Sequence, residues 1–547
     1  MAEGLPALRY ADGITKRKQV KFGGYHHAKN AANGELYDMT NLSGDLYPLL
    51  STRPARQMLR TLTKPNGIWG HDGIYTVDGT GFYAGTEKKG TVTDSRKRFA
   101  DLGPYLIILP DKAYYNRTDG TFGMLEKSYT GACTIKDGTF AGQSAKANTI
   151  TAPAGGSGGG PPFDFATLFS AGDAVRISGA TQHPENNRTA IIREVDGTSL
   201  HFYENIFTVG ENGDGENMLT IKREVPELDF ICSHENRLWG CKGDTIYASK
   251  LGDPFNWNVF DGLTTDSYAV DVQSAGDFTG CISAFGYPIF FKEDAIYKVY
   301  GSKPSNFQVL SSASLGVERG SDRSLAIAGE TLFYLSRTGI TAYGGGVPQS
   351  IATAFGQDRY KNAVGGSDGS KYYVSMQNAA GEWNLFVYDT RCNLWHREDA
   401  TQAVGFAWDG ELYTLSAQGR LFLCGNVRQV PQGATAETAV PYLAQWADFT
   451  EYTTSYSTAT PAPEKKHITK LLLRAELDAG ASCKIELQYD GDGIWHTAKT
   501  LTATKKRSFY LPIIPRRCDY FSLRLSGSGG MILYSLVREI AQGSEND

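Results

Sequence analysis

The segment CISAFGYPIFFKEDAIYKVYG, residues 281–301, contains two apolar and aromatic runs separated by a short polar turn. Runs of this kind, rich in isoleucine, tyrosine and phenylalanine, are typical of β-strands joined by tight turns. The same pattern recurs in LAIAGETLFYLSRTGITAYGGG (325–346) and in VGFAWDGELYTLSAQGRLFLCGN (404–426). The sequence contains no 12-residue window with sustained helical periodicity, and it therefore predicts an all-β protein.

The glycine-centred units recur at a spacing that is typical of β-propeller blades. After residue 227 they begin near positions 229, 276, 322, 362 and 402, which is a period of roughly 40–47 residues. Two further units, closer together, begin near positions 67 and 100. Four short strands per unit at this period predict a propeller of six or seven blades.

Residues 132–225 depart from the repeat. They include a glycine-, serine- and proline-rich stretch, AGQSAKANTITAPAGGSGGGPP (141–162), whose composition predicts a flexible loop. The segment 165–204 then alternates apolar and polar residues with period two, as hairpins with one buried face do. We therefore predict a small inserted β-barrel with these side chains facing inward: Phe169, Val175, Ile177, Ile191, Val195, Leu200 and Phe202.

A third unit follows the blades. The polar, proline-containing segment 426–442 predicts a linker, and the alternating strands beyond it predict a β-sandwich. We expect Val20–Phe22 to close the propeller by pairing with its last blade. The predicted organisation is an N-terminal arm and lead-in strand (1–58), the first propeller blades (59–131), the inserted β domain with its Gly-rich loop (132–225), the remaining blades (226–428) and a C-terminal β-sandwich (429–547).

Composition excludes several classes of function. The 547 residues carry a formal charge of −5, which disfavours sequence-independent binding to duplex DNA. The sequence has no long apolar run, so no membrane span is expected, and its first residues lack the apolar region of a secretory signal. The 8 cysteines are widely spaced and form no CxxC pair, which favours reduced thiols that act as small apolar residues.

Residues with the potential for chemistry are few. The turn YDGDGIWHT (489–497) resembles the aspartate-box hairpin of sialidase-type propellers, but it occurs once and lacks the leading serine. Asp490 and Asp492 have no glutamate at EF-hand spacing, which favours an Asx-type turn over a calcium site. His26 and His27 are neighbours and would point to opposite faces of a strand, so we expect surface residues rather than metal ligands.

We therefore predict no catalytic, cofactor-binding or metal-binding residue and no cofactor. A carboxylate pair for glycan cleavage, contributed by blades that are distant in sequence, stays open as an alternative.

The loop GDPFNWN (252–258) has a structural explanation. Gly252 permits a left-handed turn, Pro254 fixes φ, and Asn256 is expected to cap the turn beneath Trp257. Asn236 and Arg237 are expected to bond the loops that connect the blades.

Three stretches together resemble proteins of bacteriophage tails. GGYHHAKNAANGELYDMTNLSGDLYPLLSTRPAR (23–56) resembles the N-terminal block of many phage virion proteins. HENRLWGCKGDTIYASKLGDPFNWNVF (234–260) is similar to strings in the nozzle, hub and stabilisation proteins of short-tailed phages. LPIIPRRCDYFSLRLSGSGGMILYSLVREIAQGS (511–544) resembles the C-terminal sandwich of such proteins. The resemblance covers most of the chain except the insertion.

This resemblance implies a non-enzymatic virion protein of the phage tail, assembled in the cytoplasm of the bacterial host. It implies a homohexameric ring that forms part of the channel for genome ejection and through which DNA passes without specific binding. The expected partners are tail adaptor or portal-side proteins, tail fibres or spikes, and the host surface. The alternatives are a fibre-attachment or receptor- and glycan-binding tail protein and, third, a propeller glycan hydrolase.

Overall fold

The structure is a computed structural model that describes residues 14–28, 31, 34–138, 148–153, 163–203, 206–212, 218–425, 427–438, 440–450 and 465–542. It confirms an all-β chain with a seven-bladed β-propeller. The chain divides into two compact units, here called the terminal unit (Met1–Ile74 and Gly320–Asp547) and the central unit (Tyr75–Arg319). In the described ranges, helical structure consists of short 3-10 turns at Phe165–Thr167, Pro184–Asn186, Pro304–Asn306, Asp322–Ser324 and Ala352–Phe355.

The N-terminal strands belong to two different sheets. The first five are β1 (Thr15–Gln19), β2 (Leu36–Thr40), β3 (Leu42–Ser43), β4 (Leu50–Thr52) and β5 (Gln57–Thr61). Strands β1 to β4 join the C-terminal sheet, whereas β5 joins a propeller blade. The predicted arm thus contributes strands to the C-terminal part of the terminal unit.

The first two blades of the chain are four-stranded antiparallel meanders. Their strands follow one another in each sheet in chain order: β6 (Pro65–Gly70), β7 (Ile74–Asp78), β8 (Gly81–Ala84) and β9 (Glu87–Thr91), then β10 (Arg98–Leu102), β11 (Tyr105–Leu109), β12 (Ala113–Asn116) and β13 (Phe122–Met124). Both are complete blades, so the propeller has seven blades.

The inserted domain is an eight-stranded sheet. Its strands are β14 (Lys127–Ala132), β15 (Thr134–Lys136), β16 (Thr149–Thr151), β17 (Ala174–Ser178), β18 (Thr189–Asp196), β19 (Ser199–Phe202), β20 (Glu211–Asn212) and β21 (Met218–Arg223). The order in the sheet is β14-β21-β17-β18-β19-β16-β15-β20. Strands β14 and β15 are separated along the chain by Cys133 alone but lie near opposite ends of this order, so the sheet curls into a nearly closed barrel.

Two details of the insertion differ from the sequence prediction. Ile192 is buried in the barrel core and Ile191 is not, because a bulge between Ile192 and Glu194 shifts the register of β18. Thr149–Thr151, inside the predicted flexible loop, forms strand β16, while 139–147 and 154–162 lie outside the described residues.

Five further blades follow the insertion. Their strands are β22 (Phe230–His234), β23 (Arg237–Lys242), β24 (Thr245–Ala248), β25 (Tyr268–Asp271), β26 (Gly280–Ala284), β27 (Tyr287–Lys292), β28 (Ala295–Tyr300), β29 (Gln308–Ala313), β30 (Ala326–Ala328), β31 (Thr331–Ser336), β32 (Gly339–Tyr343), β33 (Gln349–Ser350), β34 (Tyr360–Ser367), β35 (Lys371–Asn378), β36 (Trp383–Asp389), β37 (Leu394–Arg397), β38 (Ala403–Trp408), β39 (Leu412–Ser416) and β40 (Arg420–Cys424). The first strand of each blade begins within a few residues of its predicted start.

The last blade is completed by β5 and not by Val20–Phe22, so that prediction was wrong. Strand β5 pairs with β40, with Met58 opposite Phe422, and also with β41 (Thr435–Ala436) from the predicted linker. Phe22 is instead buried, packs against the Trp446 ring at 6.3 Å and donates its N–H to Pro48.

The C-terminal strands are β42 (Pro441–Trp446), β43 (Lys466–Tyr489), β44 (His496–Leu511), β45 (Arg517–Cys518), β46 (Phe521–Ser528) and β47 (Met531–Gln542). One edge of the 24-residue strand β43 pairs with β44. The other edge pairs first with β47 and then with β46, so two branches of one sheet diverge from β43. Buried side chains of both branches belong to a single hydrophobic cluster, as the layers of a sandwich do. No helix among the described residues is long and apolar enough to cross a membrane.

We predict that Met58→Pro destabilises the protein by about 3 kcal/mol, because proline removes a donor inside a strand with neighbours on both sides. The matched control is Val20→Pro, which changes an exposed residue outside any strand and should cost under about 1 kcal/mol. Urea unfolding monitored by tryptophan fluorescence measures both. An equal decrease in the free energy of unfolding in the two variants would contradict the assignment of β5 as the strand that closes the propeller.

Candidate functional site

The described parts of the arm, residues 22–28 and 34–56, contact the blade formed by β34 to β37. Tyr25 is buried, donates its N–H to the Trp395 carbonyl at 2.6 Å and packs against Phe386 at 5.3 Å. A Cβ at Gly24 would lie 2.2 Å from the same carbonyl oxygen, so only glycine permits this approach. The first stretch that resembles phage virion proteins thus forms a close backbone contact with a blade.

The arm ends in a group of charges that we call the arm junction, with Arg53, Arg56 and Glu398 buried and Asp399 and Glu437 half-buried. Arg56 is 3% exposed and donates to Glu398 at 2.5 Å and to Asp399 at 2.8 Å. Arg53 donates to Glu437 at 2.8 Å. Burial alone would raise the pKa of Asp399, but the neighbouring Arg56 guanidinium lowers it, and the carboxylate stays charged.

The arm junction connects three parts of the terminal unit. Arg53 and Arg56 come from the arm, and Glu398 and Asp399 follow strand β37. Glu437 follows β41 and also accepts the backbone N–H of Arg56 at 3.0 Å. Burying this many charges is costly unless each is paired, so the network demands one arrangement of arm, blade and linker.

A second polar cluster surrounds Asp45. Asp45 accepts hydrogen bonds from Lys371 and Arg391, and Arg391 also binds Asp389 at 2.6 Å. Burial alone would raise the pKa of Asp389, but the hydrogen bonds from Arg391 lower it. His396 lies beside these groups and is buried, and its burial together with the Lys371 charge lowers its pKa to about 4.

In the central unit, the insertion is joined to the blades by what we call the insertion junction: Asp173, Arg223 and Asn256. Arg223 donates to Asp173 at 2.9 Å and to the Leu125 carbonyl at 3.1 Å. The Asn256 amide donates to Asp173 at 3.1 Å, and its oxygen accepts the N–H of Ala174 at 2.9 Å. The side chain predicted to cap a turn therefore also connects its loop to the inserted barrel.

The loop that carries Asn256 has the predicted geometry. Gly252 has a φ of +71°, and Trp257 is 2% exposed and donates its indole N–H to Pro254 at 3.0 Å. Arg237 is buried and donates to the carbonyls of Ser249 at 2.8 Å and Thr264 at 2.9 Å. Arg237 thus bonds the loop that joins β24 to β25 within one blade, and not a loop that connects two blades as predicted.

The two histidines near the N-terminus take different partners. The His27 Nδ1 atom lies 3.0 Å from the Tyr37 carbonyl, and its ring stacks on the Tyr37 ring at 4.3 Å. His26 Nδ1 lies 3.6 Å from a Glu35 carboxylate oxygen. Both side chains are half-buried, so they lie at the surface as expected but are partly covered by contacts within the arm.

The turn at Asp490 and Asp492 is of the predicted Asx type. Asp492 accepts the N–H of Ile494 at 2.9 Å, while Asp490 accepts the N–H groups of Asp519 at 2.7 Å and Tyr520 at 3.1 Å. Within the described ranges, no group of three or more histidine, cysteine, aspartate or glutamate side chains is placed to hold a metal ion. All 8 cysteines lie in described segments and are free thiols, five of them buried.

Two large cavities accompany the junctions. One of about 480 Å³ lies in the terminal unit and is lined by Asp45, Arg53, Glu437 and Asp478 among others. The other, of about 510 Å³, lies in the central unit between the inserted barrel and the 250–256 loop. Sequence reasoning missed both junctions because their members are far apart along the chain. The only sequence signals were the paired arginines of STRPAR and the position of Asn256 in its loop.

Comparison with known proteins identifies no family for this chain. No family model matches the chain, and no curated protein matches it. BamB from Moraxella catarrhalis is similar in structure at 10% identity, with 69% of this chain and 98% of that chain covered and a TM-score of 0.31. An exo-β-1,3-galactanase from Phanerochaete chrysosporium with galactose matches at 9% identity, over 56% of this chain and 95% of that chain, with a TM-score of 0.21. By the strand order of its sheets, the chain is a β-propeller protein with an inserted and a C-terminal β domain.

We predict that Arg56→Ala lowers the free energy of unfolding by about 3 kcal/mol, because it removes the closest ion pair of both Glu398 and Asp399 and leaves them only the more distant Arg53, at 3.7 Å and 3.8 Å. Arg420→Ala is the control, since this arginine of β40 is exposed, and it should change stability by under about 0.5 kcal/mol. Urea titration monitored by circular dichroism measures the free energy of unfolding of both variants and of the wild type. A loss in Arg56→Ala no larger than in the control would show that the network does not stabilise the fold.

We predict that stability falls as pH decreases from about 6.5 to about 4. The ordinary pKa of histidine is 6.5 and that of His396 is about 4, so between these values the unfolded chain binds a proton that the folded chain does not. Protonation therefore favours unfolding, by up to about 3 kcal/mol at the acid end of this window. The pKa values of Asp45 and Asp389 in the same cluster are lowered, so these carboxylates change the pH dependence of stability only below about pH 4.

The measurement is the thermal midpoint as a function of pH, compared between the wild type and His396→Gln. Removing the titrating ring should flatten the slope between pH 6.5 and 4. A variant with the same slope as the wild type would rule out His396 as its source.

Proposed function

We propose that the chain is a structural subunit of a bacteriophage tail, a nozzle or hub ring component that forms part of the channel for genome ejection. The observation that carries this proposal is where two of the phage-like stretches lie. The stretch 23–56 supplies Tyr25, Arg53 and Arg56 to the contacts of the terminal unit, and the stretch 234–260 supplies Arg237 and Asn256 to those of the central unit.

The chemistry of these residues supports a structural role. In both junctions the charged groups bind one another or backbone groups, as in Arg53 with Glu437 and Arg223 with Asp173. A catalytic acid or base must instead present its proton-transferring atom to a substrate. The residues of the phage-like stretches hold domains together, and we propose a protein that acts by shape and assembly rather than by breaking bonds.

A ring requires a surface for a second copy of the chain. Phe260 and Leu263, directly after the 252–258 loop, are 60% and 59% exposed, and Leu251 is 42% exposed. In the terminal unit, Ile514 is 79% exposed and Tyr510 63% exposed. Large apolar side chains on a surface mark sites of association, and closed rings repeat one such interface around an axis. We propose a homohexamer built on contacts of this kind.

The proposed partners follow from a position in the tail. They are adaptor or portal-side proteins, fibres or spikes, and the host surface. The net charge of −5 supports passage of DNA without retention, because like charges repel weakly at physiological salt.

A receptor- or glycan-binding tail protein is the second candidate, and the aromatic and basic lining of the 510 Å³ groove favours it.

We predict that the purified protein forms rings with six times the 59.6 kDa chain mass. Phe260→Ser combined with Leu263→Ser should shift the population to monomers, because it removes exposed apolar area from the proposed interface. Mass photometry with negative-stain imaging measures the state, and Val347→Ser, at an 82% exposed residue in another loop, is the matched control. A wild-type chain that is monomeric at every concentration tested would contradict the ring.

A further inference from the structure

The groove of about 510 Å³ in the central unit is formed by three elements. The insertion contributes residues 166–168, 170–173 and the strand ends Lys127 and Arg223. The blades contribute the loop residues 252–256 with Lys250, and the first residue of β11, Tyr105, with Tyr114 of β12. Small-molecule sites in proteins typically measure about 300–1,000 Å³, so the groove has the size of a ligand site.

Three aromatic rings line one part of the groove. Tyr105, Tyr114 and Phe255 are all half-buried, with ring centroids 5.7 Å apart for the two tyrosines and 5.2 Å and 5.1 Å from each tyrosine to Phe255. Each pair is perpendicular, with interplanar angles of 80° to 83°. Rings in this arrangement present differently oriented apolar faces and edges, together with two phenolic hydroxyls, to whatever occupies the groove.

The groove also contains two ammonium groups without an acidic partner in the described part of the chain. Lys127 lies directly opposite Arg223 in the register of β14 and β21, which places like charges side by side. Arg223 is neutralised by Asp173, but no carboxylate pairs with Lys127. Lys250 extends from the blade loop to the insertion, where its Nζ lies 3.8 Å from the position of a Cβ at Gly172.

The acidic residues of the groove are already bonded. Asp173 binds Arg223 and Asn256, and Asp253 accepts the Asn256 amide at 2.7 Å and the N–H of Phe255 at 2.8 Å. Their lone pairs are therefore engaged within the junction. Arg223 neutralises Asp173, whereas Asp253 is bonded to neutral donors and keeps its charge, so with Lys127 and Lys250 the groove lining has a net charge of +1 beside the aromatic rings.

We propose that this groove binds an anionic sugar residue, whose carboxylate or phosphate pairs with Lys127 and Lys250 while its ring packs against Tyr114 and Phe255. A sugar ring has apolar C–H faces and a rim of hydroxyls, which match the aromatic faces and the polar groups of the loop. Single-stranded nucleic acid is disfavoured, because its sites combine a long basic track with a series of stacking faces. The groove lies within one unit, so the proposal does not depend on the ring.

The test is calorimetric titration of the full chain with four probes: trigalacturonic acid, mannose 6-phosphate, maltotriose and a short oligothymidylate. An acidic sugar should bind at least about tenfold more tightly than neutral maltotriose, since charged hydrogen bonds contribute about 1.5–3 kcal/mol each. The carboxylate and phosphate probes distinguish the two sources of the charge. Binding of the acidic sugar should weaken as salt is raised.

Variants locate the site. Lys127→Gln combined with Lys250→Gln should weaken binding of the acidic sugar by about tenfold or more, and Phe255→Ala should weaken it as well. The control is Lys242→Gln, which removes an exposed lysine that pairs with Asp229 and does not line the groove. Thermal unfolding confirms that each variant is folded, and the double lysine variant keeps the aromatic rings that contribute to the core.

Three results would overturn the proposal. They are binding of maltotriose as tight as that of the acidic sugars, tighter binding of the oligothymidylate, and no binding of any sugar at millimolar concentration. Wild-type affinity in the double lysine variant would also refute it. Mass photometry of the same samples reports the ring separately, so failure of the groove and failure of the proposed assembly can be distinguished.

Discussion

The terminal unit depends on the burial of Arg53 and Arg56 among three carboxylates. A buried guanidinium without partners is unfavourable by several kcal/mol, so these groups are stable only where Glu398, Asp399 and Glu437 meet them. Two of the carboxylates follow a blade and the third follows the strand that pairs with β5. The arm, the closing strand and the linker must therefore take their positions together.

The insertion junction applies the same constraint in the central unit. Asp173 of the barrel accepts hydrogen bonds from Arg223 at the end of β21, from Asn256 of a blade loop and from the N–H of Ser170. In both junctions, two parts of one unit are held in a single arrangement, because their charged or amide groups must meet their hydrogen-bond partners. A protein that acts by holding neighbours at defined positions benefits from such connections, whereas a protein that only binds a ligand needs fewer of them.

Much of the fold could be predicted from sequence because period and turn chemistry are local properties. The blade starts and the inserted barrel follow from strand alternation and from glycine turns. The closing strand could not be found in this way, since the QMLRT of β5 has no clearer alternation than Val20–Phe22 and its partner β40 is more than 350 residues away. Likewise, a single bulge moved Ile192 into the core in place of Ile191.

The candidate sites were harder to predict, because a local sequence pattern does not show which distant side chains pair in the folded chain. Arg53 and Arg56 lie in the quoted stretch 23–56, but their partners lie 342 to 384 positions further along the chain. No sequence pattern singled out Lys127 and Lys250 as binding residues. Their position in the groove, without a paired carboxylate among the described residues, depends on where the barrel and the blade loop meet.

The most direct test of a structural role in a phage tail is cryo-electron microscopy of native particles from the host that produces this chain. The account predicts density for six copies around the tail axis at the distal end, with the arm and insertion ordered against the blades. Particles that lack the chain, or a chain found only as a free molecule that cleaves a glycan, would contradict it.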